Sequence, residues 1–146
     1  MHRFVAVSLV LILSVCCSSP SRYNELPAIS DREMAGKIVV VRTSSFAGAL
    51  SRWDIALDGK GLFYIGSGEY TEFLLPEGEH YITVRCWQGC VTGGMRYEDT
   101  VKFNLKASQT NYFLVSPSLK CAKITLSNEI EAKKHIERSK FINLEN

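Results

Sequence analysis

The chain has 146 residues, with 17 lysines and arginines against 15 aspartates and glutamates, a formal net charge of +2. That balance, without a basic block or a stripe of aromatic and basic residues, gives no footing for nucleic-acid binding. Past Cys17 no apolar run approaches the ~18 residues of a membrane-crossing helix, and the remaining length suits one domain around a single core.

Met1-His2-Arg3 is a short basic start, and Phe4 to Leu13 is an apolar run too short to span a bilayer. Residues 1–15 therefore read as a cleaved export signal. Cys16 follows directly, where bacterial lipoprotein processing takes its acceptor thiol, and Cys17 is the alternative acceptor. Leu13 and Ser14 suit the positions before such a cysteine; Val15 stands where a smaller residue is usual. Two or more acyl chains give lasting attachment, at about 0.8 kcal/mol per buried CH₂. Residues 16–35, polar and interrupted by Pro20 and Pro27, have the composition of a tether. The expected location is the bacterial cell envelope, lipid-anchored at the outer membrane and facing the periplasm.

From Gly36 onward, period-two alternation recurs at short intervals between turn residues. Lys37 to Thr43 is Val-rich on both faces, as a central strand should be. Trp53, Ile55 and Leu57 alternate with Asp54, Ala56 and Asp58, which predicts one buried and one wet face. Asp58-Gly59 supplies a tight hairpin turn into Leu62 to Ile65, and Gly66-Ser67-Gly68 a second turn. Phe73 to Leu75 lead into Pro76-Glu77-Gly78-Glu79, with proline and glycine at turn corners. The return strand sets Ile82, Val84 and Cys86 on one face and Tyr81, Thr83, Arg85 and Trp87 on the other. Val101 to Leu105, Tyr112 to Val115 and Ala122 to Leu126 predict three more strands. Asn128 and Glu131 have capping-box spacing for a helix over about Glu129 to Arg138, in which Glu129 and Lys133 form an i,i+4 pair. Seven to eight short strands and one C-terminal helix predict a mainly β protein, an antiparallel β-sandwich spanning residues 36–146.

Ile55-Ala56-Leu57-Asp58-Gly59-Lys60, followed by Leu75-Pro76-Glu77-Gly78-Glu79-His80, resembles the PEGA type of extracytoplasmic β-sandwich. The whole chain is also similar to small bacterial lipoproteins with a single domain of unknown function, which place an arginine after the first strand, as Arg42 does, and end in a helix. Glu79 departs from the alanine that completes the PEGA name. The resemblance implies a sandwich with a non-catalytic, envelope-associated role and supplies no ligand.

Beyond the acceptor pair, Cys86, Cys90 and Cys121 are an odd number in an oxidising compartment. Strand alternation puts Cys86 on the inward face, so the expected bridge is Cys90–Cys121 with Cys86 a buried thiol. A metal site from His80, Cys86 and Cys90 lacks a second cysteine pair, so none is expected, and no cofactor either. No nucleophile elbow, zinc-protease helix or phosphate-cradling loop occurs, so the chain is not read as an enzyme. Two function classes follow: a structural or protein-interaction module with an envelope partner, or a glycan-binding module that uses Tyr81, Arg85 and Trp87. An exposed, coplanar Tyr81 and Trp87 would favour the glycan reading, and their burial beneath another strand or the helix would favour the other.

Overall fold

The structure, a computed structural model, describes residues 24–88 and 95–144. Nine strands and one helix follow in order: β1 (Ala35–Arg42), β2 (Trp53–Leu57), β3 (Lys60–Ile65), β4 (Glu69–Pro76), β5 (Gly78–Gln88), β6 (Met95–Leu105), β7 (Thr110–Ser118), β8 (Cys121–Ser127), α1 (Glu129–Ile136) and β9 (Lys140–Phe141). They form two facing sheets, ordered β8-β7-β1-β4-β9 and β3-β2-β5-β6. Between them lies a core that includes Ile38, Val40, Ile55, Phe63, Leu75, Ile82, Val84, Leu105, Phe113 and Ile124. The expected β-sandwich with a helix near the C-terminus is the observed architecture.

Most neighbouring strands run antiparallel, but β1 pairs with β7 in parallel, Lys37 opposite Thr110 and Arg42 opposite Val115. The two-residue β9 also runs parallel to β4. Its shortness hides it from any periodicity argument, which needs at least four residues to show alternation.

Burial explains which patterns were legible. β1 lies between β7 and β4, and its outer face is covered by α1, so its valines are buried on both sides. β2 departs from its alternating pattern: Asp54 and Ala56 are buried along with Trp53, Ile55 and Leu57. The strand is internal, between β3 and β5, and Asp54 faces Arg85 of β5 at 3.6 Å, so charge pairing stands in for water. Leu126, expected inward, is exposed near the end of β8. The β2–β3 turn has Asp58 and Gly59 both at positive φ, 49° and 82°, as a primed hairpin turn requires.

The helix is capped as the spacing predicts, with Asn128 Oδ1 accepting from Glu131 N at 2.9 Å. Only Ala132 of the helix is buried, and Ile130 stays in solvent, so it adds little apolar area to the fold. Part of the segment read as tether is packed on the domain. Asn24 donates from Nδ2 to the Gly61 carbonyl at 2.7 Å and from its backbone N–H to that of Leu62, and Leu26 packs against the core.

Candidate ligand-binding face

The β5–β6 hairpin is a matched ladder. Its register sets Tyr81 opposite Lys102, Thr83 opposite Thr100, Arg85 opposite Glu98 and Trp87 opposite Arg96, all on the face turned away from the core. The helix packs on the other sheet, against β1 and β7, so it leaves this face open. Trp87 is 59% exposed and Tyr81 42%. Six residues of strand separate them, about 20 Å.

Each exposed ring has a cation beside it. Lys102 Nζ lies 5.7 Å from the Tyr81 ring centre, and the Arg96 guanidinium 5.8 Å from that of Trp87. Lys102 also pairs with Glu79 at 2.8 Å, and Glu79 accepts from the Tyr81 hydroxyl at 3.2 Å. The hydrogen bond with Lys102 holds the Glu79 carboxyl below its ordinary value and raises the lysine. Between the rings, Arg85 is committed sideways across the sheet: Nη1 faces Asp54, Nε lies 3.0 Å from Glu98 and Nη2 donates to the Gly59 carbonyl at 3.1 Å. Glu98 is shared with Arg96. Arg85 is therefore a strut of the face, and Tyr81 and Trp87 are its free surfaces.

The cysteines require a correction. The structure joins Cys121 to Cys86, not to Cys90, with the two Cα atoms 6.4 Å apart. Cys86 does point inward as alternation demands. Cys121 does not obey alternation, because it opens β8 with φ at 140°, outside the regular strand conformation, and its side chain turns in toward β5. The bridge ties the two sheets at one side of the sandwich. Nearby, the Asp99 carboxylate of β6 accepts from the Ile124 N–H of β8 at 2.8 Å. Cys90, Cys16 and Cys17 lie outside the described residues.

The histidines are structurally employed. His80 Nε2 donates to the Pro76 carbonyl at 3.0 Å, Nδ1 lies 2.8 Å from Asp58 Oδ2, and the ring tilts against Phe103. Asp58 Oδ1 also accepts from the Tyr81 N–H, so this cluster ties the β2–β3 turn to the β4–β5 turn. His135 lies 3.5 Å from Glu131 on the helix. Three glutamates around the β4–β5 hairpin also have cationic partners: Glu69 has Arg52, Glu72 has Lys37 and Glu79 has Lys102. Among the described residues no group of three or more His, Cys, Asp or Glu is placed to hold a metal ion, and no helix is long and apolar enough to cross a membrane.

Sequence reasoning noticed Arg42 only through a resemblance and missed its role. Its side chain is 1% exposed and crosses from β1 to the other sheet. Nη1 donates to the carbonyls of Ser51 (2.7 Å) and Ile65 (2.9 Å), Nη2 to that of Gly48 (2.7 Å), and the guanidinium lies 3.5 Å from the centre of the Trp53 ring. Desolvation lowers its pKa to about 10, against the opposing field of Glu69. A Val-rich run ending in arginine was the available signal, since an arginine so placed must find acceptors inside the fold.

Searches of family models, curated proteins and solved structures found no match to this chain.

Proposed function

We propose that this chain is a lipid-anchored envelope protein whose β-sandwich is a non-catalytic protein-interaction module, with the outer face of β5 and β6 as its working surface. Exposure of Tyr81 and Trp87 is the outcome that favours a glycan, but the rings stand about 20 Å apart and each has a cation beside it, and that spacing with its charged rim supports the protein-interaction reading. Trp, Tyr and Arg are the side chains that carry most binding energy at protein interfaces, and a rim of paired charges around them gives register. Here the rim is Glu79–Lys102 at one end and Glu98 with Arg85 and Arg96 at the other. The export signal and Cys16 support the envelope location.

A photo-crosslinking residue at Thr100, between the two rings, should trap one envelope protein in cells. Tyr81→Ala with Trp87→Ala should abolish that adduct while lowering the melting temperature by no more than about 4 °C, since neither ring belongs to the core. An adduct unchanged by the double substitution would move the working surface elsewhere. Cys16→Ala should shift the chain from the detergent phase to the aqueous phase on phase separation. Equal partitioning, with Cys17→Ala equally silent, would remove the anchor.

The exposure itself favours a second reading, in which Tyr81 and Trp87 are stacking platforms for a linear envelope glycan. Arg85 would then orient the face without touching the sugar, because its nitrogens are directed to Asp54, Glu98 and Gly59. Titration with soluble envelope oligosaccharides separates the two: saturable quenching of Trp87 fluorescence supports the glycan, and no change supports the protein.

A further inference from the structure

The segment between β1 and β2, Thr43 to Ser51, contains no charged residue and places two large apolar side chains, Phe46 and Leu50, wholly in solvent. It is nonetheless held in place. Arg42 takes the Gly48 and Ser51 carbonyls, Ser45 N–H donates to Ser67 Oγ, and Ser51 Oγ donates to the Gly48 carbonyl. Phe46 and Leu50 are therefore presented on a fixed loop, so a partner need not supply the free energy of ordering it. A convex, uncharged tip with one aromatic and one aliphatic residue suits the boundary between lipid headgroups and acyl chains better than a flat protein surface. Beside the tip, Ser44 shares a hollow of about 420 Å³ with Glu131, Lys134, His135, Glu137 and Arg138, where both signs of charge meet, as in zwitterionic headgroups.

The path of the chain puts a bilayer within reach. Asn24 bonds at Gly61 and Leu62, and Glu25 to Ala28 line the hollow at Asp58 and Lys60, so the chain runs along β3 toward the β2–β3 turn. Asn24, the first described residue, thus sits at Leu62, three residues from Ile65, whose carbonyl Arg42 holds together with the loop. From Leu62 to Ile65 is about 10 Å of strand. Eight residues separate Cys16 from Asn24, a reach of at most about 29 Å.

We infer that Phe46 and Leu50 dip into the bilayer that carries the lipid anchor, forming a second membrane contact that fixes the orientation of the sandwich. The inference rests on the anchor reading for its proximity. An anchored domain meets the bilayer at high effective concentration, so weak insertion of two side chains is sufficient.

The test places a reporter at the tip. Phe46→Trp in the lipidated full chain, reconstituted into zwitterionic vesicles with brominated acyl chains, should lose most of the added emission to bromine quenching. The fully exposed Leu119→Trp, outside the loop, should lose none. Leu50→Ser in the Phe46→Trp background should restore emission. The same reporter is read in a chain starting at Ser18, which retains every strand and the whole described core, held by an amino-terminal oligohistidine tag on chelating lipid. That arm fixes attachment independently of Cys16, so failed lipidation and failed insertion are distinguishable. A Phe46→Trp indole that stays open to aqueous acrylamide and unquenched by bromine in the tagged arm overturns the inference, whatever Cys16 does.

Discussion

Arg42 carries the largest single-residue consequence. Its guanidinium satisfies three carbonyls from three separate points of the chain and lies on Trp53, all with 1% of the side chain exposed. Arg42→Met keeps much of the volume but strands those carbonyls, and the cost should be about 3 kcal/mol or more. Arg42→Lys should recover little, because an ammonium cannot present the planar fork that reaches Ser51, Ile65 and Gly48 together. Chemical denaturation of both variants checks this; a lysine variant as stable as wild type would mean that charge alone suffices. The identity of these acceptors was not legible from sequence, since a run of Val ending in Arg says that the cation is internal but not which loop supplies its oxygens. Likewise the inward turn of Cys121 depends on one φ angle at the start of β8, which alternation cannot anticipate.

At the scale of elements, the sequence was most informative where the chemistry is local. Asp58-Gly59, Gly68 and Gly78 sit at positive φ, and Asn128 caps its helix, because turns and caps are decided by a few consecutive residues. Gly78 has φ at 139° with open space around an added Cβ, so any penalty there belongs to the backbone rather than to crowding. Gly78→Val should therefore lower stability by about 1–3 kcal/mol, and the exposed Glu77→Val by much less. Thermal unfolding of the two proteins decides it. Gly36 fails for the opposite reason, since its added Cβ would come within 2.6 Å of Leu105, which closes the core across the sheets. The helix offers a pH prediction. Glu129 and Glu131 are held below the ordinary carboxylate value, first by hydrogen bonds from Lys133 and Lys134. A carboxyl depressed in the folded state stabilises above its unfolded pKa of about 4.3 and loses that contribution as pH falls through the folded value. Their contribution should thus be flat above about pH 5 and decline below about pH 4. Lys133→Ala should move the Glu129 titration upward, as read by NMR of its side-chain carboxyl.

Across the whole molecule, the sandwich class was legible because eight of the nine strands leave a readable pattern of alternation or turns, whereas their order in the sheets was not. Pairing across the fold depends on which faces meet, and the wet face expected for β2 became internal once Arg85 met Asp54. The candidate face on β5 was legible as a line of side chains, Tyr81, Arg85 and Trp87, but not the lateral commitment of Arg85 to Glu98 and Gly59. The bridge between Cys86 and Cys121 closes a 35-residue separation, and on the chain-entropy model its loss should cost about 4 kcal/mol. Non-reducing peptide mapping should join these two and leave Cys90 outside the bridge; a Cys90–Cys121 peptide would contradict the structure. One further consequence follows from β1 and β7 lying side by side in parallel. The strand at the middle of the larger sheet has as one neighbour a segment near the far end of the chain, with β2 to β6 made in between. A chain emerging amino-terminus first has no complete larger sheet until β7, β8 and β9 have followed. Contacts so remote in sequence make for a slow search, in the millisecond-to-second range typical of all-β sandwiches. During that interval the valines of β1 are exposed, so the unfinished chain is the form that a chaperone would have to shield.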